Sequence, residues 1–185
     1  MALNAHDYDA SDQHRSYREG RAMPVGMMAR WMDVFGEIWG PKRPLSLIDL
    51  GSGTGRLTPG LAEEFDGPVF GVEPSANMRA EAETGSAHAA VAYLAGEAAA
   101  IPMPDASADG VLMFLSFHHV KDRPAAARGI RRVLNPGGRL ILRSNFRERM
   151  PDIWWRHYFP RSLEIEQQMF PTVADVEAVF GAAGF

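Results

Sequence analysis

Apolar residues recur at helical spacing over residues 22–39, with Met27, Met28, Trp31, Val34, Phe35 and Ile38 on one side. Gly40 and Pro41 end that helix. The residues before it, 1–20, are polar and broken by Asp, Ser and Gly, and they predict a mobile arm. Residues 45–50 form a short apolar run bounded by proline and glycine, which suits a strand buried on both faces. A helix is expected over 55–65 and a second apolar strand over 68–72. The next helix spans 75–83, with Ser75 as its N-cap. A weak strand follows at 90–94 and a strong one at 109–117. The pattern then predicts a helix over 123–134, a turn at Asn135-Pro136-Gly137-Gly138 and a strand over 139–143. Strands alternating with helices imply a mostly parallel sheet covered on both faces. The expectation is a Rossmann-like, doubly wound α/β fold of about five strands, built as one domain without internal repeats.

Composition narrows the function classes. The 185 residues carry a net charge of −4, which gives no broad attraction to nucleic acid. The chain has no cysteine, so disulfides and thiol nucleophiles are excluded. The remaining histidines are scattered, and no metal signature stands out. The longest apolar stretch, 110–117, is far short of the ~20 residues that span a bilayer. The acidic, polar N-terminus does not read as a signal peptide. These features describe a cytoplasmic domain.

The sharpest chemical feature is Asp49-Leu50-Gly51-Ser52-Gly53-Thr54-Gly55, placed between a strand and a helix. Its glycines allow a tight turn and close approach of a ligand to the backbone. In the dinucleotide fingerprint the third glycine would fall where Arg56 stands; here it comes one residue early, at Gly55. Asp49 would repel a pyrophosphate but can pair with an ammonium group. The pattern therefore favours an amino-acid-bearing nucleoside over NAD. Glu73 ends the second strand, where a carboxylate can accept hydrogen bonds from both hydroxyls of a ribose.

Four segments in order, LIDLGSGTGRL, VFGVEPSANM, LAGEAAAIPMPDASADGVLMFLSFHHV and RVLNPGGRLIL, resemble the successive motifs of class I, S-adenosylmethionine-dependent methyltransferases of the small-molecule type. The resemblance covers residues 45–142 and continues weakly through FPTVADVEAVFGAAGF. It implies that Gly51, Ser52 and Gly53 line the methionine part of S-adenosylmethionine, with Asp49 nearby. Glu73 would hold the ribose, and Pro74 and Met78 would pack near the adenine. Glu97 and Ala98 match an acidic-residue-plus-alanine step that receives the adenine amino group, although the family more often has Asp there. Leu115 and Ser116 would sit under the sulfonium end. On this reading residues 1–40 are an N-terminal arm and helix, 41–145 the cofactor-binding core, and 146–185 a substrate-lid region and last helix.

Three histidines are candidates for general base: His118, His119 and His157. Of the adjacent pair, one is placed to face a substrate, or both serve only to close the loop. The aromatic run 151–160 is either a substrate lid or a buried helix. Trp154 and Phe159 are expected in the core, while His157 and Tyr158 could reach a pocket. The arginines at 128, 131, 132, 139, 143, 147 and 149 read as a solvated face, and an anionic substrate is left without support. The resemblance also implies two further strands after the closing Ala-Gly-Phe. Their absence would leave the fifth strand an open edge, a route to self-association. The expected activity is methyl transfer to an O, N or C nucleophile of a small molecule. A cofactor-binding module without turnover is the alternative, and a nicotinamide-dependent oxidoreductase a distant one.

Overall fold

The structure, a computed structural model, describes Asp9 and residues 13–185, with only the backbone for residues 13–15. The helices and strands run α1 (Gln13–Gly20), α2 (Val25–Trp39), β1 (Leu47–Leu50), α3 (Thr58–Phe65), β2 (Val69–Glu73), α4 (Ala76–Gly85), β3 (Val91–Ala95) and β4 (Ala108–Phe114). After these come α5 (Arg123–Val133), β5 (Leu134–Arg143), α6 (Trp154–Tyr158), α7 (Pro160–Met169) and α8 (Val173–Ala182). The strands form one sheet in the order β3-β2-β1-β4-β5. Every pairing is parallel. The chain builds outward from β1 to β3, then returns to the other side of β1 for β4 and β5. That reversal opens a crevice at the carboxyl ends of β1 and β4, where open α/β sheets bind ligands.

Side chains alternate between two apolar layers, as the strand period of two requires. Ile48, Leu50, Val72, Val111 and Met113 pack with Ile130 and Val133 of α5 and Phe180 of α8. Leu47, Val69, Leu112 and Phe114 pack on the other face with Met32 and Phe35 of α2 and Leu61 and Phe65 of α3. Each large apolar side chain buried in this way stabilises the fold by ~1.5–3 kcal/mol. The expected layers are present, and among the described residues no helix is long and apolar enough to cross a membrane.

Several boundaries differ from the sequence expectation. Residues 13–20, expected as a mobile arm, form α1, because Gln, Arg and Glu are good helix formers and Gly20 stops the run. Arg18 of α1 donates to the carbonyl of Gly85, fixing α1 to the end of α4. The rest of the arm, other than Asp9, lies outside the described residues. The turn expected at 135–138 lies inside β5. Leu134 pairs with Ala108 and Arg139 with Gly110, so residues 135–138 bulge opposite Asp109, with Gly137 at φ 82°. The helix expected from residue 55 starts at Thr58, where Pro59 occupies the first turn.

The aromatic run is not core. Trp154 is 69% and Phe159 64% exposed, and α6 buries none of its residues. One five-residue helix is held instead by polar contact: Arg156 of α6 pairs with Glu166 of α7 at 2.7 Å. Trp154→Ala is therefore expected to change stability by less than ~0.5 kcal/mol in a thermal melt. A loss of ~3 kcal/mol, the scale of an emptied core site, would return Trp154 to a buried role.

Candidate active site

The loop after β1 is shaped by backbone bonds and positive φ angles. Gly51, Gly53 and Gly55 lie at φ 77°, 57° and 74°. The amide of Gly51 donates to the Val72 carbonyl at 2.7 Å, and that of Gly55 to the Ser52 carbonyl at 3.0 Å. The loop is thus tied to the neighbouring strand and curls above the sheet edge. An added Cβ at Gly51 would come within 2.4 Å of Ser116 Cβ, whereas one at Gly53 would meet nothing within 4 Å. Ser116 itself donates from Oγ to the Leu50 carbonyl at 2.8 Å. The β1 and β4 ends are therefore pinned together, with Leu115 at φ 60° between them.

Two buried carboxylates flank this loop. Asp49, 3% exposed, accepts from Thr58 Oγ1 at 2.7 Å. Burial raises its pKa from 3.8 to about 6, against the opposing pull of that hydrogen bond and of Arg56. Glu73, 7% exposed, accepts from the amide of Gly53 at 3.0 Å and from that of Ser75 at 2.9 Å. Burial pushes its pKa up, and the two amide bonds pull the other way. An ionised carboxylate offers about four lone-pair sites, so Glu73 keeps acceptor capacity for two hydroxyls after those bonds.

A cleft of about 610 Å³ opens over these groups. It brings together Asp49, Gly51, Ser52, Gly53, Glu73, Pro74, Met78, Glu97, Ala98, Leu115 and Ser116, every residue expected for the cofactor. Ser75 caps α4 as expected, accepting from the Met78 amide at 3.1 Å. Ser52 has a buried hydroxyl with no hydrogen-bond partner among the described residues.

The histidine candidates separate. His119 lines the cleft. His118 lies against it, ring centroids 4.1 Å apart, and packs edge-on to Phe170 at 5.2 Å. His157 is outside the lining residues and pairs with Asp152 at 3.0 Å on the exposed α6. Tyr158, 75% exposed, is also outside, as are all residues from 146 to 185. The tertiary reason is that α6 packs on α7 rather than over the strand ends.

Other lining residues escaped the sequence reading. Asp9 accepts from Ser75 Oγ at 2.6 Å and from the Asn77 amide at 3.0 Å, so it sits on the N-terminus of α4. Those bonds hold its carboxyl below the usual range, the Ser75 contact first. Tyr17 of α1 also lines the cleft. An aromatic residue in a polar arm was the available signal for it. Asp9, in a run without periodicity, offered none.

The sheet order defines an α/β domain of the doubly wound class, with a glycine loop and two buried carboxylates at the carboxyl ends of its strands. Comparison with known proteins places it further. A family model described as "Methyltransferase domain" matches residues 48–142, just over half of the chain. A C-methyltransferase of ubiquinone and menaquinone biosynthesis, UbiE, from Rubrivivax gelatinosus is 31% identical over 74% of this chain. The aligned part is 52% of that relative, so the chain spans about half its length. A demethylmenaquinone methyltransferase from Thermus thermophilus is 28% identical, over 89% of this chain and 85% of its own length. A solved structure described as a methyltransferase from an antibiotic biosynthesis pathway of Anabaena variabilis superposes with a TM-score of 0.75. It shares 25% identity and covers 84% of this chain and 60% of its own. The chain belongs to the class I, S-adenosylmethionine-dependent methyltransferase family.

Proposed function

We propose that the chain binds S-adenosylmethionine in this cleft and passes its methyl group to an O, N or C nucleophile of a small molecule. The observation that carries this reading is the pair of buried carboxylates, Asp49 and Glu73, on either side of an open glycine loop. Asp49 suits the ammonium of the methionine part, and Glu73 the two ribose hydroxyls. Gly53, with open space where a side chain would be, leaves room for the methionine chain. Pro74 and Met78 offer apolar surface to the adenine, and Glu97 an acceptor for its amino group. Leu115 and Ser116 lie at the β4 end, where the sulfonium would face the acceptor.

In the reaction the acceptor's lone pair forms a bond to the methyl carbon as the carbon–sulfur bond breaks. The bonding pair stays on sulfur, which becomes neutral. The methyl is already activated, so holding donor and acceptor in line can supply much of the rate, up to ~7–11 kcal/mol. A neutral hydroxyl acceptor must also lose a proton. His119, in the lining, is the group placed to accept it, with His118 against its ring to orient it.

Labelled S-adenosylmethionine incubated with phenols, amines and carboxylic acids tests the reading. Label should appear in one acceptor class. For a hydroxyl acceptor, His119→Ala should lower kcat by ~10²–10⁴ with little change in cofactor affinity. Cofactor binding without transfer to any class would favour the non-catalytic alternative. Glu73→Ala should weaken S-adenosylmethionine by ~1.5–3 kcal/mol in a binding titration, the scale of hydrogen bonds to a charged group. An unchanged dissociation constant would remove Glu73 from the ribose site.

A further inference from the structure

We propose that Arg143, with Arg56 beside it, forms a position for a carboxylate group carried by the acceptor, so that the substrate is an anionic molecule. This rests on the functional reading above and narrows it to a substrate class.

The position is built at the β4–β5 end of the cleft. Arg143 closes β5 and pairs in register with Phe114, the last residue of β4. The amide of Leu115 donates to the Arg143 carbonyl at 2.7 Å. Phe114, Leu115 and Arg56 line the cleft. The Arg143 guanidinium carbon lies 5.2 Å from the centroid of the Phe114 ring and 6.0 Å from that of Trp31. That of Arg56 lies 5.7 Å from the same Phe114 ring. Two cations therefore share one aromatic ring: Arg56 lines the cleft, and Arg143 lies beside it, just outside the lining residues.

Neither guanidinium has a carboxylate partner within ion-pair distance among the described residues. Arg56 donates to the Arg21 carbonyl at 2.9 Å. For Arg143 the contacts are the two aromatic faces. Some neighbouring arginines do have partners: Arg132 pairs with Asp105 at 2.8 Å, and Arg123 and Arg147 donate to the carbonyls of Met169 and Phe170. Burial, and then the nearby Arg56, lower the pKa of Arg143, the direction expected where a cation lacks a counter-charge. A half-buried cation next to a like charge is a cost that an incoming anion removes. The guanidinium fork also matches a carboxylate with two parallel hydrogen bonds.

S-adenosylmethionine has a carboxylate of its own, but its place argues against Arg143 as that partner. Asp49 and Glu73 lie at the ends of β1 and β2, whereas Arg143 ends β5, with β4 between. An anion at Arg143 is on the acceptor's side of the sulfonium position at Leu115.

The test is a calorimetric titration of the full chain saturated with S-adenosylhomocysteine. The probes are 4-hydroxybenzoate, 4-hydroxyphenylacetate and 4-hydroxycinnamate, each against its neutral carboxamide. At least one acid should bind about tenfold or more tightly than its amide. Arg143→Met should erase that preference, and Arg143→Lys should keep part of it, while the affinity for S-adenosylhomocysteine alone changes less than about twofold in both variants. Unchanged S-adenosylhomocysteine affinity also certifies that each variant is folded. If acids and amides bind alike, or neither binds, the anion position is wrong and the cofactor reading stands. If the preference survives in Arg143→Met, another cation holds the anion and the assignment to Arg143 is overturned. If both variants lose S-adenosylhomocysteine itself, Arg143 serves the cofactor or the fold, and the proposal fails. If the unaltered chain does not bind S-adenosylhomocysteine, the functional reading falls, and this proposal with it.

Discussion

Asp49→Asn should make the protein more stable at pH 8 and a poorer binder of S-adenosylmethionine. Burial holds the folded-state pKa of Asp49 at about 6, above its ordinary value of 3.8. Its contribution to stability is therefore complete below 3.8 and lost as the pH rises through about 6. At 1.36 kcal/mol for each pH unit, the ionised carboxyl costs the ligand-free fold ~3 kcal/mol at pH 8. Asn removes that charge and still offers an oxygen to the Thr58 hydroxyl, which now donates to Asp49 at 2.7 Å. A gain of up to ~3 kcal/mol would raise Tm by ~5 °C or more in a chain of this length. The gain should vanish near pH 4, where Asp49 is itself neutral. The ligand's ammonium then loses its counter-charge, which weakens binding by ~1.5–3 kcal/mol. The affinity of the unaltered chain should fall for the same reason as the pH drops below about 6. Thermal melts at pH 4 and pH 8, with a binding titration at each, measure all of this. A lower Tm for Asp49→Asn at pH 8 would mean that the fold itself needs the charge, and the case for an ammonium partner would fail.

Gly51→Ala and Gly53→Ala should part company. The new methyl at Gly51 meets Ser116 Cβ at 2.4 Å and Ser116 Oγ at 2.8 Å, and the backbone there is left-handed at φ 77°. Ser116 cannot retreat freely, because its hydroxyl is bound to the Leu50 carbonyl. Overpacking at ~1–3 kcal/mol and left-handed strain at ~1–2 kcal/mol together remove a large part of a typical stability of ~5–15 kcal/mol. Gly53 carries the strain alone, at φ 57° with nothing within 4 Å, so its variant should lose only ~1–2 kcal/mol. Its methyl nevertheless enters the cleft beside the amide that holds Glu73. Gly53→Ala should therefore melt near the unaltered chain and bind S-adenosylmethionine poorly. Equal losses of stability in the two variants, with cofactor affinity retained, would make the loop an ordinary turn.

The alternating pattern carried the sheet well because parallel strands buried on both faces read as continuous apolar runs. Leu47 to Leu50 and Ala108 to Phe114 are of that kind, with neighbours pointing to opposite layers. Where local signals and tertiary contacts disagreed, tertiary contacts decided. Asn135 to Gly138 has every mark of a turn, yet it sits as a bulge within β5 because Leu134 and Arg139 both find partners on β4. Trp154 and Phe159 look like core by composition, but a five-residue helix tied by Arg156 and Glu166 leaves them in solvent. The residues expected for the cofactor come together in one cleft because they sit in loops at neighbouring strand ends. Asp9, Tyr17 and the meeting of Arg56 with Arg143 over Phe114 join distant parts of the chain, and no spacing rule announces them.

Titration calorimetry of the purified chain with S-adenosylhomocysteine and, separately, with NAD is the most direct test of the central claim. Asp49, Glu73 and the early third glycine should give one site for S-adenosylhomocysteine and no measurable heat with NAD. Saturable binding of NAD with none of S-adenosylhomocysteine would contradict it.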